Sequence, residues 1–538
     1  MKTIAAATLL LIGSLWAAPP AMGQSADSGA KFRVTEIRLA GATLLAEADW
    51  KPLMQPLLGR EIGFVELEAV RQTIEARYHA RGWRLASVRI PAQSLTDGVV
   101  RMEAVEPALT EVAVRGESHR GLEHWRRALP ALQEGAAPNL NALDRQLSLA
   151  NDNPSQRVQV AFAPGAEPNQ LRAELQTDEA PVSGWTAFVD NTGNSQTGRL
   201  RYGLAWRHGN LFGLGHQLNL QAVSAPHDAD NPGQLSIVPS NKVRIFGLGY
   251  RVPLHRQAAL LDLTLGYSDV DSGTLQDLFR VTGQGTTAAI KYTTVLDRVD
   301  GWEPRWFIGA DWRRLDSQLL FNSVNLARPI ELHPLSVGLS ASRPGTPQRP
   351  RAVSAYATLV HNLPGGSDGS QASFSASRDG AKANFTLLRT GIQTTAPVAD
   401  WQLRAALDGQ WSNDLLVSAE QFSAGGSSSV RGFTDRGIAG DIGLRIQVEA
   451  ESPNWLATDG PPPHATLRGA VFIDAARTRR NRPAALELAQ ASIAGIGIGF
   501  RATWRAISWR LDVAKAVHQR TGATPVWGAV HLSVAANF

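Results

Sequence analysis

The sequence contains no cysteine, which excludes disulfides and thiolate metal sites. It contains no block of like charges. Its 53 Lys and Arg stand against 48 Asp and Glu, and the formal +5 is spread thinly, so no nucleic-acid footprint is present despite the basic balance. Beyond the N-terminus no stretch approaches the ~20 continuous apolar residues of a spanning helix. The 12 histidines offer no pair at metal-ligand spacing on a suitable helix, and no phosphate-cradling glycine loop is found. No cofactor and no metal are expected.

The N-terminus does carry a signal. Met1-Lys2 is a short positive start, and Ile4 to Ala18 is an apolar run broken only by Thr8, Gly13 and Ser14. Ala21-Met22-Gly23 then places small residues on either side of a larger one. This predicts a secretory signal peptide over residues 1–23 and a short linker over 24–31. An exported chain without a spanning helix is either soluble outside the cytoplasm or a transmembrane β-barrel.

Residues 32–106 mix strands and helices. Phe32 to Leu39 alternates apolar and polar, which predicts one half-buried strand. Leu67, Val70, Ile74 and Tyr78 fall at helical spacing, and Arg81-Gly82 stops that helix. Two strands follow, at Leu85–Ile90 and Gly98–Glu106. Residues 107–182 repeat this order with strands at Thr110–Gly116, Val158–Phe162 and Leu171–Leu175. Helices are expected over Leu122–Leu132 and Leu140–Ala150. Two units of about 75 residues suggest an internal duplication.

After Pro181 the helical period disappears. Residues 183–538 read as alternating segments of about ten residues between turn residues, at about 22 residues per segment and connection. Sixteen start near Trp185, Arg199, Gln217, Lys242, Ala258, Thr286, Arg305, Glu331, Ala352, Ala383, Trp401, Ile442, Ala465, Ser492, Ile507 and Val526. In the last, Val526, Gly528, Val530, Leu532, Val534, Ala536 and Phe538 share a face suited to lipid. Ile442, Leu444, Ile446 and Val448 form another such face, opposite Gly443, Arg445, Gln447 and Glu449. Connections after odd segments are mostly the longer ones. The fold expected is a transmembrane β-barrel of about sixteen antiparallel strands, preceded by two small α+β periplasmic domains. A soluble propeller or sandwich would also alternate, but without this loop asymmetry.

Several local patterns then appear in order. Pro91-Ala-Gln93-Ser-Leu95-Thr-Asp97-Gly98 closes the first unit. Asn153-Pro154 and Ala163-Pro164-Gly165 lie in the second. Asp190-Asn191-Thr192-Gly193 and Gly198 open the barrel. Val430-Arg431-Gly432-Phe433 lies in the Gly- and Ser-rich connection between segments eleven and twelve. Phe472-Ile473-Asp474-Ala475-Ala476 lies on segment thirteen. Together they resemble the two-partner secretion transporters of the outer membrane, within the superfamily that includes the barrel-assembly insertases. The resemblance covers nearly the whole mature chain. It implies two polypeptide-transport-associated (POTRA) domains in the periplasm and a sixteen-stranded barrel. It also implies a sixth outer loop that folds back inside, its tip motif meeting an F-x-D-x-G motif on the thirteenth strand.

The chemistry of that meeting is simple. A guanidinium inside a lumen needs an acceptor, and a carboxylate binds it through two parallel hydrogen bonds. By parity Phe472 and Asp474 point inward. Gly432 would permit a tight backbone, and Phe433 is expected to bury its ring near Phe472. Taken alone, Arg431 could equally be a solvated loop arginine. Ala476 replaces the motif glycine, which bears on how closely the loop approaches that strand. Some relatives plug the barrel with an N-terminal helix; residues 24–31 are too few for one.

The function implied is secretion of a partner protein, bearing an N-terminal secretion domain, from periplasm to exterior. The POTRA-type domains would recognise it, and the transporter would sit among outer-membrane lipids as a monomer. The alternative is an outer-membrane protein insertase. A barrel-anchored enzyme finds no catalytic constellation. Gly365-Gly-Ser367-Asp-Gly369 has the nucleophile-elbow spelling, but its flanks read as an outer loop. The 15 tryptophans suit interfacial girdles and lumen packing.

Overall fold

The structure is a computed structural model that describes residues 31–95, 97–116, 120–193, 199–227, 236–270, 274–275, 279–280, 283–316, 320–321, 324–325, 329–456, 464–485, 487–520 and 529–538. The expected signal segment, nearly all of its linker, Gly198 and Val526 to Gly528 lie outside those residues.

The first domain contains β1 (Phe32–Arg33), β2 (Glu36–Ala40), α1 (Glu47–Met54), β3 (Glu61–Ile62), α2 (Phe64–Ala80), β4 (Ser87–Arg89) and β5 (Val99–Val105). The single strand expected from Phe32 onward is broken. Val34 is fully buried, its amide donates to the Arg60 carbonyl at 3.1 Å, and Thr35 turns to the Gly98 carbonyl at 2.7 Å. β1 therefore pairs with β3, while β2 joins a separate sheet of order β2-β5-β4. α2 presents Leu67, Ile74 and Tyr78 to the core against Val88, Val100 and Met102. The Glu66 carboxylate accepts from the Gly63 amide at 2.7 Å and starts that helix.

The second domain contains β6 (Ala108–Arg115), α3 (Gly121–Ala128), α4 (Leu140–Asn151), β7 (Gln156–Pro164) and β8 (Gln170–Glu179), with sheet order β6-β8-β7. As in the first domain, the last strand is central and runs parallel to the opening one. α3 stops at Ala128, short of the expected Leu132. Pro130 is the cause, because it pushes the residue before it out of helical geometry.

Sixteen strands then close a barrel. In order they are Ser183–Asp190, Arg201–Leu211, His216–His227, Ser236–Leu254, Ala259–Val270, Gly283–Val295, Glu303–Leu315, an eighth in two pieces, Ala352–Asn362, Thr386–Val398, Trp401–Trp411, Ile442–Glu451, Ala465–Arg479, Gln490–Trp504, Ile507–Arg520 and Ala529–Asn537. The eighth is Ile330–Leu332 and Pro334–Arg343, interrupted at His333; both pieces hold one register against the seventh strand. Parity sorts the faces as expected. Val471 and Ile473 are 48% and 51% exposed on the outer wall, while Phe472 and Asp474 between and beyond them are 5% and 0% exposed. Trp185, Trp401, Trp504 and Trp509 are exposed on the barrel wall near the turns that lie on the second domain's side.

That side is fixed by contacts. Arg305 at the start of the seventh strand grips Asp152 through two hydrogen bonds at 2.5 and 2.9 Å. Asn153 donates to the Gly209 carbonyl at 2.6 Å, and Arg145 pairs with Asp297. The even-to-odd turns therefore face the second α+β domain, and the loops after odd strands face the other end.

Candidate functional site

The connection between the eleventh and twelfth strands enters the barrel. Phe422–Ala424 and Ile438–Gly440 pair as a short antiparallel hairpin, and the tip motif lies between them. Gly432 adopts φ +95°, a conformation other residues resist.

At the tip Arg431 is 2% exposed. Its Nε and Nη2 donate to the two Asp474 oxygens at 2.6 and 2.9 Å, the parallel fork expected of this pair. Its backbone amide also reaches Asp474, at 3.2 Å. Two further carboxylates, outside both motifs, also face Arg431. Nη1 donates to Glu449 on the twelfth strand at 2.6 Å and lies 3.6 Å from Asp512 on the fifteenth. Arg501 holds Glu449 at 3.0 Å and Asp512 at 2.7 Å, and Arg510 holds Asp512 at 2.9 Å. Three guanidinium groups thus balance three carboxylates, which is what allows such a cluster to be buried. Parity had put Glu449 on an inward face; what it lacked was the barrel curvature that converges strands twelve to fifteen on one point.

The aromatic residues meet differently from the expectation. The Arg431 guanidinium lies 3.3 Å from the Phe472 ring centroid. Phe433 packs instead with Phe422, Ala476 and Ile493. Phe433 is buried against the inner wall as expected, but in a different cluster from Phe472. Ala476, where the motif has glycine, contributes its methyl to the Phe433 cluster, so the loop seats with the alanine in place. A close backbone approach falls one strand on, at Gly495, where an added Cβ would lie 2.0 Å from the Arg431 carbonyl oxygen.

The first-domain motif builds a turn. Gln93 donates to the Arg101 carbonyl at 2.8 Å and accepts from its amide at 2.7 Å, acting as an extra strand rung. It also donates to the Pro91 carbonyl at 3.3 Å. The Gly98 carbonyl accepts from Thr35, and Asp97 is exposed. These residues lie in the first domain and the tip motif in the barrel.

Ser367 lies in the outer loop after the ninth strand. Contrary to the expected flanks, a strand precedes it and a helix, α5 (Gln371–Ser377), follows. Its hydroxyl lies 3.3 Å from Glu331 and 3.1 Å from Asp368, two carboxylates that compete for its one proton, and His333 contacts the other Glu331 oxygen at 3.3 Å. The carboxylate stands between hydroxyl and imidazole, which is not the order that activates a nucleophile.

The same parts occur in known proteins. The outer membrane transporter CdiB of Dickeya dadantii (strain 3937) is 25% identical over 451 residues, covering 82% of this chain and 75% of the relative. The solved CdiB from Escherichia coli has a TM-score of 0.76 at 22% identity, covering 96% of this chain and 92% of that one. BamA from Haemophilus ducreyi lacking POTRA domains 1-3 gives 0.50 at 15% identity, covering 94% and 100%. The ShlB-type POTRA domain matches residues 32–107, and the haemolysin secretion/activation protein family ShlB/FhaC/HecB matches residues 170–502. A barrel with two periplasmic α+β domains and an arginine-tipped lumenal loop is therefore an outer-membrane protein, and the chain belongs to that haemolysin secretion/activation family.

Proposed function

We propose that this protein is the outer-membrane pore through which one partner protein is secreted, without catalysing any reaction. The observation that carries this reading is the seated loop: a hairpin held inside the lumen by a buried ion-pair cluster closes a path that must open for cargo. The partner, bearing an N-terminal secretion domain, arrives unfolded and docks as an added strand on a sheet edge. In the first domain one edge is already occupied. The Val88 amide donates to Glu75 at 2.9 Å, and its carbonyl accepts from Arg71 at 2.8 Å, so α2 side chains cap β4. The other edge strand, β2, is the recruiting edge in this reading. The transporter works as a monomer among outer-membrane lipids.

The test is export of a co-expressed partner by Arg431→Ala. Removing Arg431 leaves three carboxylates facing two guanidinium groups, at a cost of about 3–5 kcal/mol. Export is expected to fall sharply while the barrel remains folded; normal export would refute the role of the latch. The insertase reading predicts a different outcome: deletion of the gene would deplete other outer-membrane proteins.

A further inference from the structure

The same loop carries a second set of buried charges that the tip does not use. Glu420, on the limb entering the loop, is fully buried. It accepts from Arg313 of the seventh strand and Arg389 of the tenth, each at 2.8 Å. The eleventh-strand Gln410 side chain donates to its carbonyl at 2.8 Å. On the limb leaving the loop Asp441 is also fully buried. It accepts from Arg378, just after α5, at 2.6 Å, from the Leu416 amide at 2.9 Å and from the Asn481 amide at 2.7 Å. Asn481 follows the thirteenth strand. Phe374 of α5 shares one apolar cluster with Leu416 and Val417 of the entering limb. Three outer loops are thus joined into one body at the exterior mouth.

A buried carboxylate is stable only where it is paired, so the positions of Arg313 and Arg389 on the wall dictate where the entering limb lies. These partners of Glu420 and Asp441 stand on strands seven, ten and eleven and in the outer loops. Those of Arg431 stand on strands twelve, thirteen and fifteen. With the two sets anchored on different strands, opening of one does not require opening of the other.

We propose that Glu420 is a second positioning residue for the lumenal loop and that, with Asp441, it forms an outer latch released separately from the inner latch at Arg431. A polypeptide leaving the lumen has to displace the outer limb, and this latch sets how readily that limb yields. The inference concerns the resting protein, and its test needs no partner.

Because the chain has no cysteine, single cysteines report without background. Val417→Cys reads the outer limb and Ser429→Cys the tip; the native residues are 0% and 6% exposed. The full-length protein in outer-membrane preparations is treated with a membrane-impermeant maleimide, and folding is checked by heat-modifiable gel mobility. With Glu420 intact both cysteines should react slowly. Glu420→Gln should speed labelling at 417 by roughly ten-fold or more while 429 stays protected, because only the outer pairing is lost. Glu420→Asp, which keeps the charge, should restore most of the protection. Arg431→Ala should expose 429 more than 417. If the Glu420→Gln barrel fails to fold, the Arg313→Gln, Arg389→Gln pair performs the same test from the wall. Unchanged labelling at 417, or equal acceleration at both positions, would overturn the proposal.

Discussion

Glu106 ties the first domain together from a single position. It accepts from the Tyr78 hydroxyl at 2.7 Å, from the Thr43 and Leu44 amides at 2.9 and 3.0 Å, and from the Thr43 hydroxyl. Burial alone would raise its pKa, but these donors outweigh burial and hold the carboxyl below its usual range. Tyr78 is pushed up, by burial first and by the Glu106 carboxylate second. A depressed carboxyl contributes stability above its unfolded value of about 4.3, and that stability is lost as pH falls through the lower folded value. A raised phenol contributes stability below its unfolded value of about 10, lost as pH rises through the folded one. Both therefore act at neutral pH. Glu106→Gln should cost about 1–3 kcal/mol there, and the gap from the parent should close as pH falls below about 4. Trypsin resistance of the first domain across urea series at several pH values measures this. At this scale the sequence was legible where a motif and a parity agreed, as for Arg431 and Asp474. Glu106 and Glu420 went unassigned, because the side chains that hold their carboxylates come from segments far away along the chain. Asp512 has Arg510 two residues away, but its place in the cluster depends on Arg431, 81 residues before it.

Among the elements, α4 and the turn after it couple the second domain to the barrel rim. Asp152 receives Arg305, and Ser148 donates to Glu303 at 3.3 Å. The pair is about four-fifths buried on both sides, so truncating one partner leaves the other charge short of its counterpart. Arg305→Ala should weaken docking by about 2–4 kcal/mol, seen as faster amide exchange in α4 with barrel exchange unchanged. The Asp152→Arg, Arg305→Asp exchange should recover part of the protection. Strands were the most legible elements, since alternation between lipid and lumen repeats sixteen times. α5 was not legible. Its sequence, Gln-Ala-Ser-Phe-Ser-Ala-Ser, has one large apolar residue and no helical stripe. Its helical form rests on the Ser370 cap and on burial of Phe374, and the second of these is a tertiary cause.

For the molecule as a whole, closure depends on joining the first strand to the last, across almost the entire barrel sequence. Trp185 and Phe538 exchange both backbone hydrogen bonds, at 2.7 and 2.9 Å, and five residue pairs follow from Asn537 to Ser533. The first strand ends at Asp190, yet the seam continues. The Asn191 backbone amide donates to the Leu532 carbonyl at 3.2 Å. Its side chain donates to the Val530 carbonyl at 2.7 Å and accepts from the Leu532 amide at 2.9 Å, so a side-chain amide extends the ladder beyond the strand. The motif that marks the barrel's opening is therefore part of its closure. An edge left unpaired in a bilayer is costly, because no water can satisfy it. Asn191→Ala removes the two side-chain bonds and should destabilise closure by about 1–3 kcal/mol. Asn191→Asp keeps the acceptor alone and should fall between. The measurement is the temperature at which the barrel loses its compact gel mobility, which should drop most for the alanine variant and less for the aspartate. An unchanged temperature would mean that backbone pairing alone closes the seam.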